Sequence, residues 1–179
     1  MLKKVLLGVG GVLVLAILVV LGLAATKPAT FHVERSATIS APPSVVFANL
    51  EDFHQWAAWS PWEKLDPAMQ KTFGGAPKGV GATYAWRGNG DVGEGNMTVT
   101  ESRPSEHVAI RLEFLKPFAA TNTTTYSVKP TAGGSEITWA MEGPNSFMGK
   151  VMSVFVDMDT MVGKDFELGL SNLKRLSER

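Results

Sequence analysis

Three hydrophobic patterns follow one another along the chain. Val5 to Ala25 is an uninterrupted stretch of 21 residues without a charge. Phe31 to Ile39 then alternates apolar and polar positions, the period of a strand with one buried face. "SAPPSVVFANL" begins a helix: Ser40 is a capping residue type, proline suits the first turn, and Val45, Val46, Phe47 and Leu50 form an apolar face. In "EDFHQWAAWSPW", Phe53, Trp56 and Trp59 recur every three residues on a second short helix. Ser60-Pro61 ends it, because the residue before a proline is pushed out of helical conformation.

From about Met69 to Glu142 the period changes to 2, broken by the turn-forming stretches "GGAPKG", "GNGD", "RPSE", "KPFA" and "KPTAGG". This predicts an antiparallel meander of six strands. One face carries Tyr84, Trp86, Met97, Val99, Val108, Ile110, Leu112, Phe114, Tyr126, Val128, Ile137, Trp139 and Met141. The other carries Arg87, Asn96, Thr98, Arg111, Glu113, Lys129 and Glu136 and faces solvent. After Asn145 or Ser146 a single long helix is expected to about Leu176, with a stripe through Met148, Val151, Met152, Phe155, Met158, Val162, Phe166, Leu170, Leu173 and Leu176. Asp159 falls inside that apolar sector.

The length admits one ordinary domain, residues 27–179, behind an N-terminal segment, residues 1–26. At about 1.5 Å per residue the uncharged stretch covers roughly 31 Å, enough for a bilayer core. A single-pass transmembrane anchor through residues 5–25 is expected, with a cleaved signal ending at Gly22-Leu23-Ala24 as the alternative. Lys3 and Lys4 would keep the N-terminus in the cytoplasm, placing the domain on the extracytoplasmic side of the cytoplasmic membrane. Basic and acidic residues balance at 17 each, which gives no electrostatic basis for nucleic acid. The absence of cysteine excludes disulfides, thiolate metal sites and cysteine nucleophiles.

The segments "ERSATISAPPSVVFANLEDFHQWAAWSPW", "GVGATYAW", "FLKPFAATNTTTYSVKP", "ITWAMEG" and "MVGKDFELGLSNLKRL" together resemble the SRPBCC superfamily, the START-like and polyketide-cyclase-like group, over about residues 31–177. The resemblance implies an α+β helix-grip fold: a curved antiparallel sheet of about seven strands around a long C-terminal helix, here preceded by the transmembrane helix. It also implies a cavity for an apolar small molecule or lipid. From the sheet, Trp86, Met97, Ile110, Leu112, Phe114, Tyr126, Trp139 and Met141 would line it; Phe155, Asp159 and Val162 would come from the helix, and Trp56 and Trp59 from the closing end. A membrane-tethered carrier or sensor without enzymatic activity is the first functional reading. A cyclase, dehydratase or hydrolase using the same cavity is the second, and a co-chaperone-like interaction module presenting the tryptophans is the third.

Few residues carry chemistry of their own. "GNGDVGEG" fits G-x-G-x-x-G, but a strand rather than a helix follows it, so it reads as a hairpin turn and not a phosphate loop. His32, His54 and His107 are scattered without metal-ligand spacing, and no metal or cofactor is expected. A carboxylate facing an apolar cavity must be paired, hydrated or raised in pKa. Asp159 is therefore the best catalytic candidate, as a general base, with a structural pair or a route to water as the alternatives. Tyr126 and Trp139 either orient a ligand through O–H and N–H donors or only pack the core. The helix methionines, Met148, Met152, Met158 and Met161, either give a wall that adapts to its ligand or fill core.

Overall fold

The computed structural model describes the backbone of residues 2–179 and the side chains of residues 9–179. The elements run α1 (Leu2–Ala25), β1 (Thr30–Ile39), α2 (Pro43–Leu50), two 3₁₀ helices (Phe53–Ala58 and Pro61–Lys64), β2 (Gln70–Gly75), β3 (Ala82–Arg87), β4 (Glu94–Arg103), β5 (His107–Lys116), β6 (Ala120–Thr131), β7 (Gly134–Pro144), α3 (Phe147–Met152) and α4 (Met158–Ser177). The seven strands form one antiparallel sheet in the order β1-β7-β6-β5-β4-β3-β2. The meander explains five of the six neighbour pairs, and β1 closes the order by pairing with β7, Val33 opposite Met141 and Arg35 opposite Trp139. The fold is α+β, with a seven-stranded antiparallel sheet and a C-terminal helix.

The strand faces follow the period-2 reading. Ile110, Tyr126 and Ile137 have no exposed surface, and Val99 and Trp139 almost none, while alternate positions such as Arg111 and Glu136 are exposed. Two bulges shift the β4–β5 register, between Glu94 and Gly95 and between Val99 and Glu101. The three-residue spacing of Phe53, Trp56 and Trp59 matches a 3₁₀ helix, with three residues per turn. It starts at Asp52, whose side chain accepts from the His54 backbone N–H at 2.9 Å. Pro42, not Ser40, is the N-cap of α2, and it makes no side-chain cap bond.

Two expectations are corrected. The first is the single long terminal helix, which is broken into α3 and α4 by residues 153–157. The Ser153 hydroxyl bonds back to the Lys150 carbonyl at 2.8 Å, and the β-branched Val154 and Val156 are poor helix formers. Asp157 then starts a new helix by accepting from the Thr160 backbone N–H at 3.2 Å. The apolar stripe divides accordingly: Phe166, Leu170 and Leu173 are buried, whereas Met148, Met152 and Phe155 are exposed.

The second correction concerns the membrane. Among the described residues no helix is long and apolar enough to cross one. The transmembrane helix expected through residues 5–25 is withdrawn, and with it the placement in the cytoplasmic membrane and on its extracytoplasmic side. Lys3 and Lys4, which carried the orientation argument, lie outside the residues whose side chains are described.

Candidate functional site

The inward face of the sheet has two halves. At the end next to α2, the 3₁₀ helix delivers Trp56 and Trp59 onto Tyr126 and Trp139. Ring centroids are 5.1 Å apart for Trp56–Trp59, 5.9 Å for Trp56–Tyr126, 6.0 Å for Trp59–Tyr126 and 5.7 Å for Trp59–Trp139. Phe166 of α4 stacks on Trp139 at 4.1 Å, and Gly169 admits that ring, since a Cβ there would stand 2.6 Å from it. Indole donors hold the plug to the chain: Trp56 Nε1 bonds the Leu50 carbonyl at 3.2 Å, and Trp59 Nε1 the Asn49 carbonyl at 3.1 Å. Asn172 of α4 donates to the Trp59 carbonyl at 3.0 Å. Each such aromatic pair adds about 0.5–1.5 kcal/mol beyond the area it buries.

Toward the other end the face is not sealed. Phe31, Trp86 and Leu112 from the sheet and Met158 and Val162 from α4 are only partly buried although they pack against the core; Trp62 of the second 3₁₀ helix is too, but its ring meets Trp139 and Phe166 of the plug edge-on. Phe114 is also half-buried, its ring meeting Trp86 edge-on at 5.9 Å. Met97 and Met141 floor this half. Phe118 after β5, Phe147 and Met152 of α3 and Phe155 after it are exposed. This apolar, partly exposed half, lined in part by flexible thioethers, is the chamber half of the face, as against the packed plug.

The sequence-expected lining residues fall into these two halves. Trp56, Trp59, Tyr126 and Trp139 belong to the plug; Trp86, Met97, Leu112, Phe114, Met141 and Val162 belong to the chamber, with Ile110 between them. Phe155 is 68% exposed and lines neither.

Asp159 stands apart from the chamber chemistry. Arg35 of β1 reaches it with Nη1 to Oδ1 and Nη2 to Oδ2, both at 2.9 Å, and bonds Glu167 through Nε at 2.8 Å. The remaining guanidinium donors go to the Glu34 and Asp159 carbonyl oxygens. Gly163 makes room for this, since a Cβ there would overlap the guanidinium. The Asp159 side chain is half exposed, and the hydrogen bonds from Arg35 hold its carboxyl below the usual aspartate range. An ion-paired, depressed carboxylate is a poor general base. Alternation did not single out Arg35, although it occupies an inward position of β1 with Val33 and Ala37, a signal that an interior charge needs a partner.

A second polar cluster links the second 3₁₀ helix to β3 and the β2 edge. The Tyr84 hydroxyl donates to Glu63 Oε1 at 2.7 Å, and Lys71 pairs with the other Glu63 oxygen. Burial first and Glu63 second push the Tyr84 hydroxyl far above the usual tyrosine range. Outside the chamber, a cleft of about 200 Å³ lies beside Phe53, His54, Phe73 and Gly74, with the His54 ring stacked on Phe73 at 4.3 Å. Asp52 accepts from or faces His54 Nδ1 at 2.8 Å; burial raises its carboxyl, but the hydrogen bonds from His54 outweigh that and hold it low. A groove of about 310 Å³ runs between Ser36–Thr38 of β1 and Glu167, Leu170 and Lys174 of α4. "GNGDVGEG" is the β3–β4 turn, its Asn89 N–H donating to Asp66 Oδ2 at 2.7 Å. Among the described residues no three His, Asp or Glu side chains converge as metal ligands do.

The model of one family, described as polyketide cyclase/dehydrase and lipid transport, matches residues 30–178. No curated protein matches in sequence. Among solved structures, a protein from Chromobacterium violaceum is similar with a TM-score of 0.58 at 19% identity, covering 85% of this chain and 99% of its own. The Aha1 dimer from Colwellia psychrerythraea gives 0.60 at 15% identity, covering 83% and 96%. DynU16, from the dynemicin biosynthetic locus, gives 0.56 at 17% identity, covering 80% of this chain and 46% of its own. At these identities the likeness carries the fold and not an activity.

Proposed function

Because the chain belongs to the polyketide cyclase/dehydrase and lipid transport family, we propose that it takes up a hydrophobic small molecule or lipid against the partly exposed chamber half of the sheet face, as a carrier or sensor. One observation carries this reading: apolar side chains on the inward face, Trp86, Leu112 and Phe114, and Met158 and Val162 of α4, stay partly exposed beside a fully packed plug. Leaving them so forgoes roughly 25 cal/mol for each Å² of apolar surface that stays in water, which an apolar ligand would recover. The methionines suit a guest of variable shape.

The enzymatic reading has less behind it. Its best base, Asp159, is engaged by Arg35, and Glu63 is engaged by Tyr84 and Lys71. The interaction-module reading required exposed tryptophans, and Trp56 and Trp59 are 3% and 1% exposed.

The test is titration of the full chain with the neutral probe N-phenyl-1-naphthylamine. Saturable fluorescence enhancement is expected, and Leu112→Arg, which places a cation in the chamber, abolishes it while circular dichroism stays native. Absence of saturable binding to the folded chain, or binding indifferent to Leu112→Arg, contradicts the reading.

A further inference from the structure

An open sheet has two edges, and each edge strand leaves half of its peptide N–H and C=O groups without a ladder partner. Here the edge strands are β1 and β2. The first edge is closed by side chains. Arg35 donates to the Glu34 carbonyl at 2.7 Å, Lys174 of α4 to the Thr38 carbonyl at 2.9 Å, and just past the strand Glu178 accepts from the Ser40 N–H at 2.6 Å. Among the described residues no side chain caps the second edge in this way, and all six residues of β2, Gln70–Gly75, are exposed.

The register shows which groups are free. The Ala76 N–H bonds the Gly81 carbonyl at 3.1 Å, and β2 pairs with β3 without a shift, Gln70 opposite Arg87 and Phe73 opposite Tyr84. Bonded pairs alternate in an antiparallel ladder, so Thr72 and Gly74 turn their groups to Ala85 and Thr83, while Lys71 and Phe73 turn theirs away from the sheet. β2 contains no proline and no bulge, and its one charge is drawn back into the protein, Lys71 to Glu63. Apart from shortness, the devices that blunt an edge are missing.

The same edge carries the cleft between the first 3₁₀ helix and the β2–β3 turn, with Phe53, His54, Phe73, Pro77, Ala82 and Thr83 among its walls. Its rings are preset: His54 stacks on Phe73 at 4.3 Å, Phe73 on Tyr84 at 5.1 Å, and Asp52 holds the imidazole through Nδ1 at 2.8 Å. At about 200 Å³ the cleft is smaller than the roughly 300–1,000 Å³ of small-molecule pockets and close to the ~150 Å³ that takes one benzene ring. That size suits a single aromatic side chain.

We propose that the β2 edge receives an extended segment of a partner protein as an eighth strand, antiparallel to β2, with one aromatic side chain seated in the cleft. Strand addition of this kind draws affinity from main-chain hydrogen bonds and selectivity from the side chain that enters the pocket. A second copy of this chain fits less well: the inward side chains of its own β2 are held by Glu63 at Lys71 and by His54 and Tyr84 at Phe73, so it has no ring to insert. The surface lies outside the chamber, and its occupation does not depend on the carrier reading.

The experiment is an NMR titration of the full isotope-labelled chain with the acetylated, amidated peptide KTVTYTVTK, whose tyrosine and valines share one face. Saturable shifts are expected at the Lys71, Phe73 and His54 amides. Hydrogen exchange should slow at Lys71 and Phe73 but not at Thr72, which already faces β3. Peptide residues opposite Lys71 and Phe73 point their side chains the same way, so N-methylation at the tyrosine and valine nitrogens should abolish binding. N-methylation at the threonine nitrogens should leave it within about two-fold. Replacing the tyrosine by alanine should weaken binding about five-fold, and His54→Ala in the chain should erase that difference. No shifts at Lys71 and Phe73 at millimolar peptide, or equal loss with both methylation patterns, overturns the strand addition. Shifts at the same amides on concentrating the chain alone overturn it as well, since a second copy then takes the edge. An alanine peptide that binds as tightly as the tyrosine peptide overturns the seating of a ring in the cleft.

Discussion

The plug and the chamber are two halves of one sheet face, built from the same residue types and brought to opposite states. In the plug, Trp59, Tyr126, Trp139 and Phe166 are at most 2% exposed. In the chamber, Trp86, Leu112 and Phe114 lie on the same face at the same period and are half-buried. Strand chemistry does not separate them. The second layer does: over the plug, the 3₁₀ helix and the Phe166–Leu173 side of α4 supply aromatic and leucine side chains, whereas the chain breaks at residues 153–157 and α3 packs against α1 with its apolar side chains exposed. Burial on this sheet is decided by what covers it.

The largest expected consequence is energetic. Trp59→Ala should destabilise the fold by about 3–5 kcal/mol, because a fully packed site cannot collapse around the void. Leu112→Ala should cost only about 1–2 kcal/mol, its side chain being partly solvated already. Urea unfolding followed by circular dichroism measures both, and equal losses would erase the distinction between the halves.

A second consequence concerns alkaline pH and sharpens the picture of the plug. The chain has two tyrosines, Tyr84 and Tyr126, and burial raises both hydroxyls, with Glu63 adding to the rise at Tyr84. A hydroxyl raised in the folded state contributes stability that is fully present below the unfolded value of about 10 and is lost as pH climbs above it. Tyrosinate absorbance should therefore be absent until the protein unfolds, and its onset should coincide with loss of the circular dichroism signal. Absorbance appearing near pH 10 in folded protein would mean that solvent reaches the plug.

How far these features were readable in the chain depends on the range of the interaction behind each. Strand faces follow a local period, so alternation placed Met97, Leu112, Tyr126 and Trp139 on one side. The three-residue spacing of Phe53, Trp56 and Trp59 likewise carried the shape of the 3₁₀ helix. The break before α4 escaped a stripe drawn at 100° per residue, because periodicity is blind to a second cap; Ser153, the β-branched Val154 and Val156 and the Asp157-x-x-Thr160 spacing were its local signs. Asp159 was read from its own helix face alone, while its partner Arg35 lies 124 residues away on an edge strand. The membrane expectation drawn from the uncharged run at the N-terminus does not hold, since among the described residues no helix is long and apolar enough to cross a bilayer. Nor does any local pattern distinguish plug from chamber, since that difference arises only when the second layer folds over the sheet.

The most direct measurement of the central claim is a methyl NMR titration of the full chain, labelled at the methionine methyl groups, with N-phenyl-1-naphthylamine. Met97, Met141 and Met158 border the chamber, and Met148, Met152 and Met161 are exposed outside it. The account predicts saturable shifts of the Met97, Met141 and Met158 resonances. No shifts, or shifts confined to Met148, Met152 and Met161, would contradict it by placing the probe on the outer surface.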